Sequence, residues 1–221
     1  MLVPIRIDID FDHYRLRETF VWNLNDPVVT PELFAEITCE DLELPTQCVS
    51  QFVTQLKQQL ADFQTHVTDK KRKYAEDGED GHVKSEVVDI DITVGSMSLV
   101  DQFEWDVNDP NNSPEGFAEV YAADLGLSGE FKTAIAHDIR EQVQLYHKSL
   151  FLVGHPFDGT PVLDDDLRMA FLAPVTSVTR TVDEAQAFTP LLNILTEAEM
   201  ERIEKEREKE LKRKKRQTRG R

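Results

Sequence analysis

Apolar and polar residues alternate in two separate parts of the chain. Isoleucine occupies every second position of Ile5–Ile9, and Val88–Ile92 has the same period. A period of two predicts a strand with one buried face. In both places a short turn and a second strand-like run follow, the latter ending at Trp22 and at Trp105. The pattern therefore predicts two β-hairpins.

Each predicted hairpin is followed by two helical patterns. Thr30 and Ser113 both precede Pro-Glu, and a hydroxyl N-cap followed by proline at the first helical position predicts a helix start. In these first helices we expect the larger apolar residues to face inward, namely Phe34, Ile37 and Leu42, then Phe117, Val120 and Tyr121. A longer second helix is predicted by apolar spacings of three and four, at Phe52, Leu56, Leu60 and Phe63, then Phe131, Ile135, Ile139, Val143 and Tyr146.

The two segments are copies of one unit. Trp-x-x-Asn-Asp-Pro-x-x-x-Pro-Glu-x-Phe-Ala-Glu occurs twice with an offset of 83 residues. About 18 of roughly 59 aligned positions are identical. The residues that define the repeat structurally are Trp22, Asn25, Asp26, Pro27 and Phe34, with Trp105, Asn108, Asp109, Pro110 and Phe117 in the second copy. A unit of about 60 residues is small for an independent core, so we expect each copy to gain stability by docking.

These patterns predict an α+β fold with two tandem ββαα repeats, an extended arm and a solvent-exposed, charged C-terminal helix. We place the first repeat at 1–66, a charged linker at 67–85, the second repeat at 86–150, an extension and arm at 151–195, and the basic helix at 196–221. The linker is expected to be solvated and mobile because it has no apolar period. The abrupt strand-like start of the chain suggests that a further N-terminal region precedes it.

Charge is distributed unevenly along the chain. The net charge is −17, yet residues 207–221 carry a net +7, so the rest carries −24. The last segment begins with a capping box at Thr196–Glu199 and contains strong helix formers up to Arg216. Its cationic residues recur at spacings of three and four and would share one helix face, at Arg202, Lys205, Lys209, Lys212, Arg216 and Arg219, with Arg213 beside them.

This cationic face allows more than one interpretation. It could be a solvated helix carrying a nuclear-import-like run at residues 212–216. It could also bind an acidic surface, since arginine binds carboxylates and phosphates equally well. Composition alone leaves histone carboxylates and nucleic-acid phosphates both open.

Several other classes of protein are disfavoured. The chain contains no nucleotide-binding, hydrolase or metalloprotease motif. We therefore predict that it is not an enzyme and that it has no catalytic residue and no cofactor. Cys39 and Cys48 are expected to be reduced thiols and to bind no metal. His137 and His147 are expected to be packing or surface residues rather than general bases. The sequence has no apolar run of about 18 residues, so we predict no membrane contact.

The paired repeats, the stretch 134–143 and Phe-Thr-Pro-Leu-Leu at 188–192 before a charged helix resemble the SNF-five (integrase-interactor-one) family over Leu2–Arg219. The resemblance implies a nuclear core subunit of a SWI/SNF or RSC chromatin remodeller. It implies repeats that bind SWIRM-domain scaffold subunits, one repeat per copy. It also implies a C-terminal helix on the nucleosome acidic patch, with its basic cluster at Lys212, Arg213, Lys215 and Arg216. Animal relatives have mostly arginine there. The alternative is a DNA- or RNA-binding adaptor that uses the basic tail.

Overall fold

The computed structural model describes residues 1–77, 85–107, 109, 111–155, 162–170 and 180–219. Only the backbone is described at 65–77, 85–86, 183–184, 187, 207–208, 210–212 and 214–219. Contacts group the chain into two compact units. The first comprises Met1–Val88 and Glu104–Val178, and the second comprises Asp89–Phe103 and Thr179–Arg221. This grouping follows contacts rather than repeats, so the domain boundaries above remain predictions.

The first hairpin consists of β1 (Leu2–Phe11) and β2 (Tyr14–Asn23), paired antiparallel. Asp12 in its two-residue turn has a φ of 52°, a left-handed conformation that aspartate tolerates better than most residues. Alternate residues of β1, from Val3 to Ile9, are almost fully buried. The predicted one-sided strand is therefore confirmed.

Two helices follow, α1 (Pro31–Asp41) and α2 (Thr46–Asp77). The Thr30 hydroxyl accepts a hydrogen bond from the Leu33 N–H at 3.2 Å and caps α1, so the predicted helix start is confirmed. Phe52 and Leu56 of α2 are fully buried against the apolar face of β1. The helix continues over residues 67–77, where a mobile linker was expected, because lysine, arginine and alanine favour helix without needing a core.

The next elements are β3 (Ser85–Val94), β4 (Met97–Asp106), α3 (Pro114–Asp124) and α4 (Gly129–Leu152). Ser113 caps α3, as predicted, by accepting from the Gly116 N–H at 3.1 Å. The buried stripe of α4 contains Phe131, Ile135 and Ile139. The mixed α+β class is confirmed.

The inward-facing residues of the short helices were predicted wrongly in part. The buried residues of α1 are Ala35 and Cys39, whereas Ile37 is 49% exposed and Leu42 is 47% exposed. In α3 the buried residues include Ala118 and Ala122, and Val120 is 61% exposed. Small side chains face the core in both helices, which leaves larger apolar side chains outside.

The region predicted as extension and arm contains α5 (Asp165–Ala170), α6 (Val182–Ala187) and β5 (Leu191–Ile194). Strand β5 was not predicted. It pairs antiparallel with β4 and gives a three-stranded sheet of order β3-β4-β5. The chain then continues into α7 (Glu197–Arg219), the predicted C-terminal helix. Among the helices described, none is long and apolar enough to span a bilayer.

Candidate protein-interaction surfaces

The tryptophan and phenylalanine of each repeat motif pack edge to face. The ring centroids of Trp22 and Phe34 are 5.5 Å apart with an interplanar angle of 78°. The pair at the same positions of the second copy, Trp105 and Phe117, has a centroid distance of 5.5 Å and an angle of 81°. Edge-to-face contacts stabilise beyond simple burial, and here each joins the end of a hairpin to the following helix.

In the first repeat, the Asn-Asp-Pro triplet lies in the turn between Trp22 and Phe34. Asp26 Oδ1 accepts from the Val28 N–H at 2.8 Å and from the Val29 N–H at 3.2 Å, and these bonds lower the Asp26 pKa below 3.8. Asp109 Oδ1 accepts from the Asn111 N–H at 2.8 Å in the same way. The Asn25 N–H donates to Asn23 Oδ1 at 3.0 Å. Asp26 and Asp109 therefore have the same structural role, since each accepts at least one backbone hydrogen bond that holds the turn after its hairpin.

Pro27 of the triplet is exposed. Asn108 and Pro110, the remaining two positions predicted to define the repeat, lie outside the described residues.

Helix α4 of the second repeat contacts β1 of the first repeat within one compact unit. His137, which is 1% exposed, has its Nε2 atom 3.0 Å from the carbonyl oxygen of Ile5. Arg6 donates to Glu141 through Nε at 3.1 Å and through Nη2 at 2.7 Å. The two repeats thus touch, which sequence spacing did not reveal because each pair is more than 130 residues apart.

His137, Asp138 and Glu141 form a group whose potential ligand atoms lie within 4.8 Å of one another. The Glu141 carboxylate already accepts both hydrogen bonds from Arg6. A dication here would have to displace or sit beside a guanidinium, so we assign this group to the junction between the repeats.

The edge of β1 that faces away from β2 is closed by two glutamines of α2. The Gln59 side chain accepts from the Arg6 N–H at 3.0 Å and donates to the Arg6 carbonyl at 2.9 Å. Gln55 does the same for Asp8, at 2.9 and 2.8 Å. Each amide therefore replaces one residue of a neighbouring strand.

The outer face of α1 presents apolar side chains. Leu33 is 42% exposed and Ile37 is 49% exposed, one helical turn apart. Val120 occupies the position in α3 that Ile37 occupies in α1, and it is also exposed. Contiguous exposed apolar patches mark surfaces that bind other proteins, so Leu33 and Ile37 on α1, and Val120 at the equivalent position of α3, are candidate contact residues.

Strand β5 connects the cationic helix α7 to the second hairpin. The Leu195 N–H donates to the Ser96 carbonyl at 2.7 Å and extends the pairing of β5 with β4. At the next residue, the Thr196 N–H donates to Glu199 Oε2 at 2.8 Å, and the Thr196 hydroxyl donates to the same oxygen at 2.7 Å. These bonds lower the Glu199 pKa. Helix α7 therefore begins at Glu197, two residues after Leu195, the last residue that bonds the second hairpin.

The described side chains on the predicted cationic face are exposed. They are Arg202, Lys205, Lys209 and Arg213. Lys205 forms an i,i+4 ion pair with Glu201 at 3.0 Å. The backbone at Lys212, Lys215, Arg216 and Arg219 is helical, and their side chains lie outside the described residues. The sequence predicted the spacing of this face but not its anchoring through β5.

The chain thus combines a sequence motif that occurs twice, each time with a hairpin followed by two helices, and a C-terminal helix whose described cationic side chains are exposed. The family model described as SNF5 / SMARCB1 / INI1 matches residues 1–212, and the chain belongs to that family.

Individual relatives match almost the whole chain. The SWI/SNF chromatin-remodeling complex subunit SNF5 of Saccharomyces cerevisiae is 39% identical over 99% of the chain. Its Schizosaccharomyces pombe namesake, snf5, is 37% identical over 96%. The chromatin structure-remodeling complex subunit SFH1 of Yarrowia lipolytica is 30% identical over 98%. The matches cover 25%, 38% and 46% of these three relatives, so the chain spans less than half of their length.

Proposed function

We propose that this chain is the repeat-and-helix part of a non-catalytic, nuclear subunit of a SWI/SNF-type chromatin remodeller. The relatives named as SWI/SNF or chromatin structure-remodeling subunits support this, because their alignments cover nearly the whole chain. Identity is higher to the two SNF5 subunits than to SFH1, which favours the SWI/SNF assignment. The isolated chain is expected to hydrolyse no ATP.

Within this role, α7 binds the acidic patch of the nucleosome. The pairing of β5 with β4 carries the proposal, because the helix with the exposed cations begins two residues after the last backbone hydrogen bond to the second hairpin. Arg213 and Arg216 supply guanidinium groups, each of which can donate two parallel hydrogen bonds to one carboxylate.

Nucleosome pull-down with the full chain tests this binding. We expect Arg213→Ala with Arg216→Ala to reduce binding by about tenfold or more. The matched control is Arg213→Lys with Arg216→Lys, which keeps the positive charge but loses the planar guanidinium group. This variant should retain partial binding. Neutralised acidic-patch nucleosomes should lose binding to the unchanged chain. Equal binding to both nucleosomes would refute the acidic-patch assignment.

The second candidate is a DNA- or RNA-binding adaptor that contacts phosphates through the same basic residues. The run of cations at residues 212–216 favours it. Phosphate binding would give a steep decrease in affinity with salt concentration on naked DNA. Naked DNA that binds as tightly as nucleosomes, with no effect of patch neutralisation, would support this alternative.

The repeats, in this proposal, bind SWIRM-type scaffold subunits through the outer faces of α1 and α3. The support is the exposure of Ile37 and Val120 at one repeat position, with Leu33 beside Ile37. Burial of each such side chain in an interface would contribute about 1–2 kcal/mol.

Co-purification with a SWIRM-containing scaffold subunit tests the two faces separately. We expect Ile37→Asp to reduce binding by the first repeat and Val120→Asp by the second. Glu40→Gln, an exposed change on the same helix as Ile37, is the control. Unfolding curves of all three variants should match that of the unchanged chain, because the side chains lie outside the cores. Undiminished capture by the double aspartate variant would show that another face binds.

A further inference from the structure

We propose that the outer edge of β2 is a strand-addition site, which takes an extended, uncharged apolar segment of a partner chain at Tyr14–Arg17. The site is separate from the helix faces and from α7, so the inference goes beyond the proposed function.

The second repeat shows how such an edge is filled. Met97–Val100 of β4 pairs antiparallel with Leu191–Ile194 of β5, with Leu99 opposite Leu192 and Val100 opposite Leu191. The offset of 83 residues places Tyr14–Arg17 at the same positions of the first repeat. Leu16, the counterpart of Leu99, is likewise buried. In the part of the chain that is described, the first sheet contains β1 and β2 alone.

The two edges of the first sheet differ. The edge of β1 is closed, because Gln55 and Gln59 bond the outward backbone groups of Asp8 and Arg6. Asp8 lies opposite Arg17, and Arg6 lies opposite Thr19. In an antiparallel pair, opposite residues both direct their backbone groups either toward the partner strand or away from it. The N–H and C=O groups of Arg17 and Thr19 therefore point away from β1, along the outer edge of β2.

The chemistry of the occupant follows from β5 and from the charges on β2. Strand β5 has the sequence Leu-Leu-Asn-Ile, without charge or proline. The Arg17 side chain is already paired with Asp8 at 2.8 Å and with Asp10 at 2.5 Å. The bound segment therefore needs no acidic residue to neutralise Arg17. An added strand gains main-chain hydrogen bonds, and an apolar residue opposite Leu16 would extend the buried face.

A proline substitution can remove the edge without breaking the hairpin. Arg17→Pro deletes an N–H that points outward, so the ladder with β1 keeps its hydrogen bonds. Arg17→Ala is the matched control, because it loses the same two ion pairs but keeps the N–H. Thermal unfolding of both variants measures the shared loss of the ion pairs.

The probe is a synthetic peptide of residues 188–196 with a photo-crosslinking residue in place of Asn193, added to the full chain. We expect cross-links at Tyr14–Arg17 in the unchanged chain and in Arg17→Ala, decreased by about fivefold or more in Arg17→Pro. We also expect slower hydrogen exchange of the Arg17 amide when peptide is present. Cross-links confined to Met97–Val100, or equal cross-linking of the proline and alanine variants, would overturn the proposal.

Discussion

Arg140 on α4 holds Glu115 on α3 through two parallel hydrogen bonds, from Nε to Oε1 and from Nη2 to Oε2. Eighty-three residues earlier, Lys57 on α2 forms an ion pair with Glu32 on α1. The two pairs occupy equivalent positions, so the repeat duplicates a polar link between its two helices as well as its apolar core.

The two links are expected to differ in strength. Arg140 and Glu115 are 23% and 37% exposed, whereas Lys57 and Glu32 are 56% and 50% exposed. Water screens the more exposed pair, and a single ammonium lacks the paired geometry of a guanidinium. We expect Arg140→Ala to lower the free energy of unfolding by about 1 kcal/mol, and Lys57→Ala to lower it by clearly less. Urea unfolding measures both, and a larger loss for Lys57→Ala would contradict the ranking.

The Glu115 link also makes stability depend on pH. Burial raises the pKa of Glu115, but the hydrogen bonds and the positive charge of Arg140, together with hydrogen bonds from the Glu115 backbone and the Ser113 side chain, outweigh it, and the pKa lies below its ordinary value of 4.5. The folded state therefore binds fewer protons than the unfolded state in this range. The contribution is complete above pH 4.5 and is lost as the pH falls through the lowered pKa. We expect Arg140→Ala to flatten this part of the stability profile, as measured by urea unfolding at a series of pH values. An unchanged slope below pH 4.5 would show that other carboxylates cause it.

Local signals in the sequence were enough to predict most of the elements. Alternation at Ile5–Ile9 and the caps at Thr30 and Ser113 act over a few residues, and each led to the element that the structure contains. The orientation of α1 was not predictable in this way. A hydrophobic pattern favours Ile37 as the inward residue, but the helix packs through the smaller Ala35.

Features that depend on distant residues were missed. Strand β5 has only four residues and no alternation, and its partner Met97–Val100 lies over 90 residues earlier. Nothing in the sequence near Gln55 indicates that it caps a strand edge, because its partner Asp8 is 47 residues away. For the candidate site, the cationic spacing of α7 could be predicted, while its attachment to β4 could not.

The junction between the repeats is expected to depend more on His137 than on Arg6. His137 is almost fully buried and bonds the Ile5 carbonyl, so removal leaves both a cavity and an unsatisfied acceptor. We expect His137→Ala to destabilise the chain by about 2–3 kcal/mol, and Arg6→Ala by at most about 0.5 kcal/mol because its ion pair is half exposed. His137→Gln is the control, since its amide can still donate to the carbonyl. Equal losses for His137→Ala and Arg6→Ala in thermal unfolding would contradict this account.

A substitution in β5 can release α7 from the second hairpin without preventing the helix from forming. The Leu195 N–H bonds the Ser96 carbonyl, and the antiparallel register then makes Asn193 and Ser98 a hydrogen-bonded pair. Asn193→Pro removes this donor, so we expect the Val100 and Leu195 amides to lose protection from hydrogen exchange by about tenfold. The helicity of α7 should persist, because the bonds between Thr196 and Glu199 lie beyond the substitution. Asn193→Ala keeps the N–H and should preserve the protection. If the proline variant kept full protection at Leu195, strand β5 would not be what holds α7 to the second hairpin.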